Sequence, residues 1–179
     1  MVQLIITQII TLAIQCYIAT TKKVKNILLV TFLFNFANLI CYAFNSDIWT
    51  VVTYSIICVR SFIYIYRDKL KAHDASFIVP LLFVFSHLLL GFNDWIESGS
   101  AFMNSWRILT IFAACWNCYY MWYYDNAQKL RIGNIISNST WFAYNVITGL
   151  YIIAAGRILA VTANFVAYIR NKRVIEHNN

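Results

Sequence analysis

The residues best able to do chemistry in this 179-residue chain are amides and arginines set in apolar surroundings. Asn134, Asn138, Trp141 and Asn145 recur at i, i+4, i+7 and i+11, which places them on one stripe of a helix. Thr31, Asn35, Asn38 and Tyr42 repeat that spacing a hundred residues earlier, and Arg157 and Asn164 share a face two turns apart. An amide offers both a donor and an acceptor, so such stripes can bind hydroxyls while Trp and Tyr cover an apolar face. The same stripes can equally bond helix to helix, at about 0.6–2 kcal/mol per bond in a membrane. Arg60, Arg107 and Arg157 lie within apolar runs with no carboxylate in those runs to pair with them. Each needs backbone carbonyls, amides, water or an anionic ligand, or must snorkel to an interface.

Chemistry of other kinds is not legible. No nucleophile–base arrangement, nucleotide loop or metal-ligand spacing occurs, so an enzyme is not expected, and no cofactor. Cys115 and Cys118 form a CxxC, but no second CxxC or His cluster accompanies them. All five cysteines read as small buried hydrophobes. His87, within an apolar run, reads as a packed or bridging residue.

The elements that hold these residues follow from composition. The chain is 61% hydrophobic and 12% charged, against about 25% charged in a typical soluble domain. We therefore expect an all-α integral membrane protein. Seven segments have the length a crossing helix needs: 3–20, 26–44, 48–66, 75–92, 101–124, 132–148 and 150–169. The N-terminus lacks a basic n-region and a small-residue cleavage site, and reads as the first span. Eleven of the fourteen basic residues fall in alternate connections: Lys22, Lys23 and Lys25; Arg67, Lys69 and Lys71; Lys129 and Arg131; Arg170, Lys172 and Arg173. The other connections carry Asp47, Asp94 and Glu97. The preference of Lys and Arg for cytoplasmic loops then puts the N-terminus outside and the C-terminus in the cytoplasm. It also explains the net charge of +7 without nucleic acid. Trp49, Trp95 and Trp122 sit where interfacial aromatic belts sit.

The chain also repeats itself. "FIYIYRDK" closes the third segment and "FVAYIRNK" the seventh; "QCY" and "NCY", and "KKVKN" and "QKLRIGN", match in the same order. Segments 1–3 and 5–7 line up at a spacing of 102 to 106 residues, with Ser61 aligned on Asn164. The fourth segment, with the lone Pro80, supplies the extra crossing that keeps the two triplets parallel. The expected organisation is a first three-helix repeat (1–71), a linker helix and outer loop (72–100), and a second repeat with a cytoplasmic tail (101–179). Parallel repeats about an axis along the membrane normal are a known transporter plan.

The stretch "KLRIGNIISNSTWFAYNVITGLYIIAAGRILAVTANFVAYIRNKR" resembles the C-terminal half of the YgjV-type bacterial inner-membrane protein family. "KKVKNILLVTFLFNFANLICYAF" through "IICVRSFIYIYRDK" resembles that family's second and third spans, including an arginine matched by Arg60. That family is similar in architecture to the SWEET and PQ-loop transporters, which have a 3+1+3 layout and a solute pocket between two bundles. The resemblance implies a multi-pass protein of the bacterial inner membrane that moves a small polar solute by alternating access. It implies Asn164 as a pocket residue, whereas the matching third-span position holds Ser61, not Asn, and the PQ motif is absent. Combined with the stripes, the candidate solute-binding residues are Asn164, Asn138, Trp141, Asn145, Asn35, Asn38 and Ser61, with Arg60 and Arg157 as gate or anion contacts. The partners expected are the lipid bilayer and a small polar solute; a homo-oligomer is left open. The alternative is a non-transporting scaffold, receptor or partner subunit, in which the amides only join helices.

Overall fold

A computed structural model describes residues 2–44, 48–73, 76–98 and 106–177, without the side chains of 2–4, 19, 94–98 and 171–177. Asp47, and the side chains of Asp94, Trp95, Glu97, Lys172 and Arg173, lie outside the described residues. The described chain is all-helical: α1 (Val2–Thr20), α2 (Val24–Phe44), α3 (Ile48–Tyr64), a one-turn α4 (Arg67–Leu70), α5 (Ile78–Ser98), α6 (Arg107–Tyr123), α7 (Ala127–Ile147) and α8 (Tyr151–His177). The seven long helices fall on the seven apolar segments. Two stretches, Val24–Phe44 and Tyr151–Arg170, are long and apolar enough to cross a membrane, and Ile5–Ile18, Ile48–Tyr64 and Ile78–Asn93 are shorter apolar helices. Helix α7 owes its lower apolarity to the same amides that mark its stripe, Asn134, Asn138 and Asn145, all of them buried.

Local chemistry sets the ends. The Asn126 side chain accepts from the Gln128 amide at 2.7 Å and starts α7. At its other end Gly149 has φ +76°. The Gly149 amide donates to Val146 O at 3.2 Å and the Leu150 amide to Asn145 O at 2.8 Å. This pair of bonds is the Schellman stop, for which a residue without Cβ is suited. It turns the chain straight back into α8.

Six helices close a ring. α1 packs on α2, α2 on α3, α3 on α6, α6 on α7, α7 on α8, and α8 returns to α1. α5 stands outside it, against α3 and α6. Each helix thus meets the same kinds of neighbour as its counterpart in the other triplet. The ring is polar within and apolar without. Ile9 is 62% exposed and Phe85 59%, whereas Gln15 is 2% exposed and Asn145 0%. In water this distribution would forfeit burial of large aliphatic and aromatic side chains, each worth about 1.5–3 kcal/mol.

The α6–α7 seam is tight because of one glycine. A Cβ on Gly133 would lie 2.3 Å from the Tyr120 ring, which is fully buried and cannot swing away. Gly133→Ala is expected to destabilise the protein by about 1–3 kcal/mol, the usual cost of overpacking. Thermal unfolding in detergent checks this; an unchanged midpoint would show that α6 and α7 do not pack this closely.

Candidate functional site

Three amides are oriented by their own helices. The Asn38 side-chain NH2 donates to Phe34 O at 2.7 Å, that of Asn138 to Asn134 O at 2.8 Å, and that of Asn164 to Ala160 O at 2.9 Å. With the donor tied one turn back, each carbonyl oxygen is free to face another helix. Two of the three meet Arg157. Its Nη1 donates to Asn138 Oδ1 at 3.1 Å, and its Nη2 donates to Asn38 Oδ1 at 2.8 Å and to the Tyr54 hydroxyl. The guanidinium also stands over the rings of Phe34, Tyr54 and Trp141, 5.0, 5.7 and 5.7 Å from their centres. One side chain of α8 therefore binds α2, α3 and α7 at the middle of the ring.

Beside Arg157 lies a cavity of about 10 Å3, room for about one water. Its wall includes Thr31 and Asn35 from α2, Tyr54 from α3, Asn117 from α6, and Asn134 and Asn138 from α7. Three of these keep a buried polar atom without a partner: Thr31 Oγ1, Asn117 Oδ1 and Asn134 Nδ2. Arg157 Nε is unpartnered as well. The other halves of the two amides are engaged, Asn117 Nδ2 to Ser137 Oγ at 3.0 Å and Asn134 Oδ1 by the Tyr120 hydroxyl at 2.7 Å. Buried polar atoms seldom go unbonded, and a cavity of this size has room for one water among these four.

Side chains meet across the ring at both of its ends. Toward the α2–α3 and α7–α8 turns, the Tyr42 hydroxyl donates to Asn145 Oδ1 at 2.8 Å, and Tyr42, Tyr54, Trp141 and Tyr144 pack ring on ring. Toward the basic end, Tyr64 packs against Trp122, their tilted rings 5.0 Å apart at the centres. Below it, Arg67 donates to the carbonyls of Met121 and Tyr124, and Arg131 to Thr21 O at 2.9 Å. Tyr42 and Asn145 are 103 residues apart, as are Tyr54 and Arg157. The spacing of the sequence repeat thus recurs in residues that touch each other across the ring.

Of the residues singled out from sequence, Asn35, Asn138, Trp141 and Arg157 line the cavity. Asn38 reaches it through Arg157, and Asn145 meets Tyr42 near one end of the ring. Ser61 is tied to Asn35 at 2.8 Å. Asn164 faces α1, donating to Gln15 Oε1 at 3.3 Å. Arg60 lies elsewhere, fully buried: its Nη1 donates to Ala114 O at 3.2 Å and to Cys118 Sγ at 3.4 Å, while Nε and Nη2 have no partner. His87 of α5 is buried with both ring nitrogens unpartnered. Arg107 stands over the Trp49 ring at 5.1 Å. Tyr54, Asn117 and Tyr120 are site residues that the stripes did not reveal. Asn117 stood in the repeated "NCY" as a match without a role. Among the described residues no group of three or more His, Cys, Asp or Glu could hold a metal ion. In comparisons with protein-family models, curated proteins and solved structures, the chain matches none.

Proposed function

We propose that this chain is a seven-span protein of the bacterial inner membrane that carries a small polar solute between its two three-helix halves. Its apolar outside, its polar inside and the gathering of basic residues at one end support the membrane reading, as does the resemblance to YgjV-type proteins. The ring, in which α1–α3 and α6–α8 take equivalent places, supports two parallel repeats with α5 as the linker. The observation that carries the transport reading is the cavity: it lies between the halves, with side-chain contacts across the ring on either side of it and unbonded polar atoms from α2, α6 and α7 and from Arg157. Such an arrangement suits the occluded stage of alternating access, with rocking of the halves opening one end at a time. Arg67, Arg131 and the Tyr64–Trp122 pair would close the cytoplasmic side, and Tyr42, Tyr144 and Asn145 the outer side.

The small volume and the many amide bonds between helices favour a second reading, a scaffold or receptor with no solute. Thermal unfolding of purified protein against a panel of small polar solutes separates the two. A solute at 100 times its dissociation constant adds about 2.7 kcal/mol of stability. The carrier reading expects such a hit, flux of that solute in proteoliposomes, and loss of both in the Asn35→Ala, Asn138→Ala double variant. A solute that binds but does not cross favours a receptor. A panel without hits favours the scaffold.

A further inference from the structure

The basic end of the ring is unevenly charged. Asp68 and Asp125 are the only acidic side chains among the described residues, and both face Arg67, with Lys71 also on Asp125 at 2.9 Å. The side of that end made by α3, α4 and α6 thus carries its own counter-charges. The other side carries none among the described residues. There Lys22, Lys23 and Lys25 stand at the junction of α1 and α2, Lys129 in the first turn of α7, and Arg170 toward the end of α8. All five are exposed, and none has a hydrogen-bond or ion-pair partner among the described residues.

Hydrogen bonds draw these three stretches of chain into one corner. Arg131, itself 2% exposed, donates to Thr21 O at 2.9 Å, one residue before Lys22. Gln128, one residue before Lys129, donates to Tyr168 O at 3.1 Å, two residues before Arg170. Arg131 also donates to Gln128 Oε1 at 2.7 Å, which joins the two ties. The preference of Lys and Arg for cytoplasmic loops accounts for cations at this end, but it applies to both sides alike. It does not account for both described carboxylates serving Arg67. Like charges gathered at one corner repel, and an anion bound there removes the repulsion. One turn deeper the surface is apolar: Tyr17 of α1 and Phe165, Val166 and Ile169 of α8 are exposed, and α1 packs on α8. A partner that suits both levels has an anionic head and an apolar tail.

Resting on the membrane reading of the chain and not on the carrier reading, we infer that this corner binds an anionic phospholipid of the leaflet at the basic end. Its phosphate lies among Lys22, Lys23, Lys129 and Arg170, and its acyl chains run along α1 and α8. Basic pockets between spanning helices take such headgroups, and each Lys or Arg near the surface adds to the attraction. The lipid touches both halves, since Lys22 and Lys23 precede α2 whereas Lys129 and Arg170 lie on α7 and α8.

The test is native mass spectrometry of the full chain in detergent, titrated with phosphatidylglycerol, with phosphatidylethanolamine of the same acyl chains, and with inorganic phosphate. Phosphatidylglycerol is expected to bind at least about tenfold more tightly than phosphatidylethanolamine, with no binding of phosphate at the concentrations that saturate the lipid. Two double variants that lose equal charge separate a built corner from general attraction of cations. Lys23→Gln with Lys129→Gln should weaken phosphatidylglycerol binding about tenfold, and Lys69→Gln with Lys71→Gln should change it by less than about twofold. An unchanged unfolding midpoint without lipid shows that both variants are folded. Equal weakening by the two pairs overturns the inference, as does equal binding of the two lipids. Phosphate that binds as tightly as phosphatidylglycerol overturns the lipid assignment and leaves a bare anion site. The membrane reading is tested apart, by washing cell membranes with alkaline carbonate. A chain released by the wash overturns that reading and this inference with it. A chain that stays but shows no lipid preference overturns this inference alone.

Discussion

Arg157→Leu is expected to lower the unfolding free energy in detergent by about 2–4 kcal/mol and, under the proposed carrier reading, to abolish solute binding. The size follows from what is left behind. Asn38 Oδ1, Asn138 Oδ1 and the Tyr54 hydroxyl each lose a charged donor inside the ring. A buried polar group without a partner is unfavourable by about 1–3 kcal/mol. Against this, removing the buried charge returns about 2.5–3.5 kcal/mol. The loss exceeds the return because three acceptors are orphaned for one cation removed. The same reasoning gives a stricter test. Adding Asn38→Leu and Tyr54→Phe to Arg157→Leu removes two of the orphans along with their donor, and replacing both partners of a buried bond is often close to neutral. The triple variant should therefore regain most of the lost stability while binding stays lost. If the single variant is as stable as the wild type, Arg157 is not the centre of the network.

The parts of this molecule that a sequence discloses are those governed by period and by solvent. The apolar runs marked where the long helices lie, two of them long and apolar enough to cross a membrane. The i, i+4, i+7 recurrence identified the buried face of α7, and Asn134, Asn138, Trp141 and Asn145 are all buried. Period cannot say which neighbour a face meets. Asn138 and Asn145 share a stripe, yet one binds Arg157 and the other Tyr42 near one end of the ring. Asn164 reads like Asn138 from sequence, and it faces α1 because α8 closes the ring there. Arg60 and Arg157 look alike as lone charges in apolar runs. Only the packing of α3 against α6 separates an arginine bonded to the Ala114 carbonyl from one that lines the cavity. Asn117 is the only amide on its helix, so no periodicity marks it as a site residue.

Arg67→Ala is expected to cost about 2–4 kcal/mol and to open the basic end. Arg67 reads from sequence as one more cytoplasmic boundary charge, but its side chain is 1% exposed. It reaches from the end of the first half to the end of α6, donating to the carbonyls of Met121 and Tyr124 and to Asp125 Oδ1 at 3.0 Å. The last carbonyls of a helix have no partner within it and carry the negative end of its dipole, so a cation there satisfies both needs. Asp125 contributes less: its side chain is 71% exposed, and exposed ion pairs are worth about 0–1 kcal/mol. The expected order of destabilisation is thus Arg67→Ala, then Arg67→Lys, then Asp125→Asn, since lysine keeps the charge but cannot fork across two carbonyls. Access provides the functional readout. Cys118 is fully buried, one turn inside this clamp. In a protein whose other cysteines are replaced by alanine, Arg67→Ala should raise the rate at which a water-soluble maleimide labels Cys118 at least about tenfold, the change expected if about 1.4 kcal/mol of closing free energy is lost. A rate unchanged from the wild type, together with the expected loss of stability, would make the clamp a structural tie and leave the Tyr64–Trp122 pair as the barrier on this side under the proposed carrier reading.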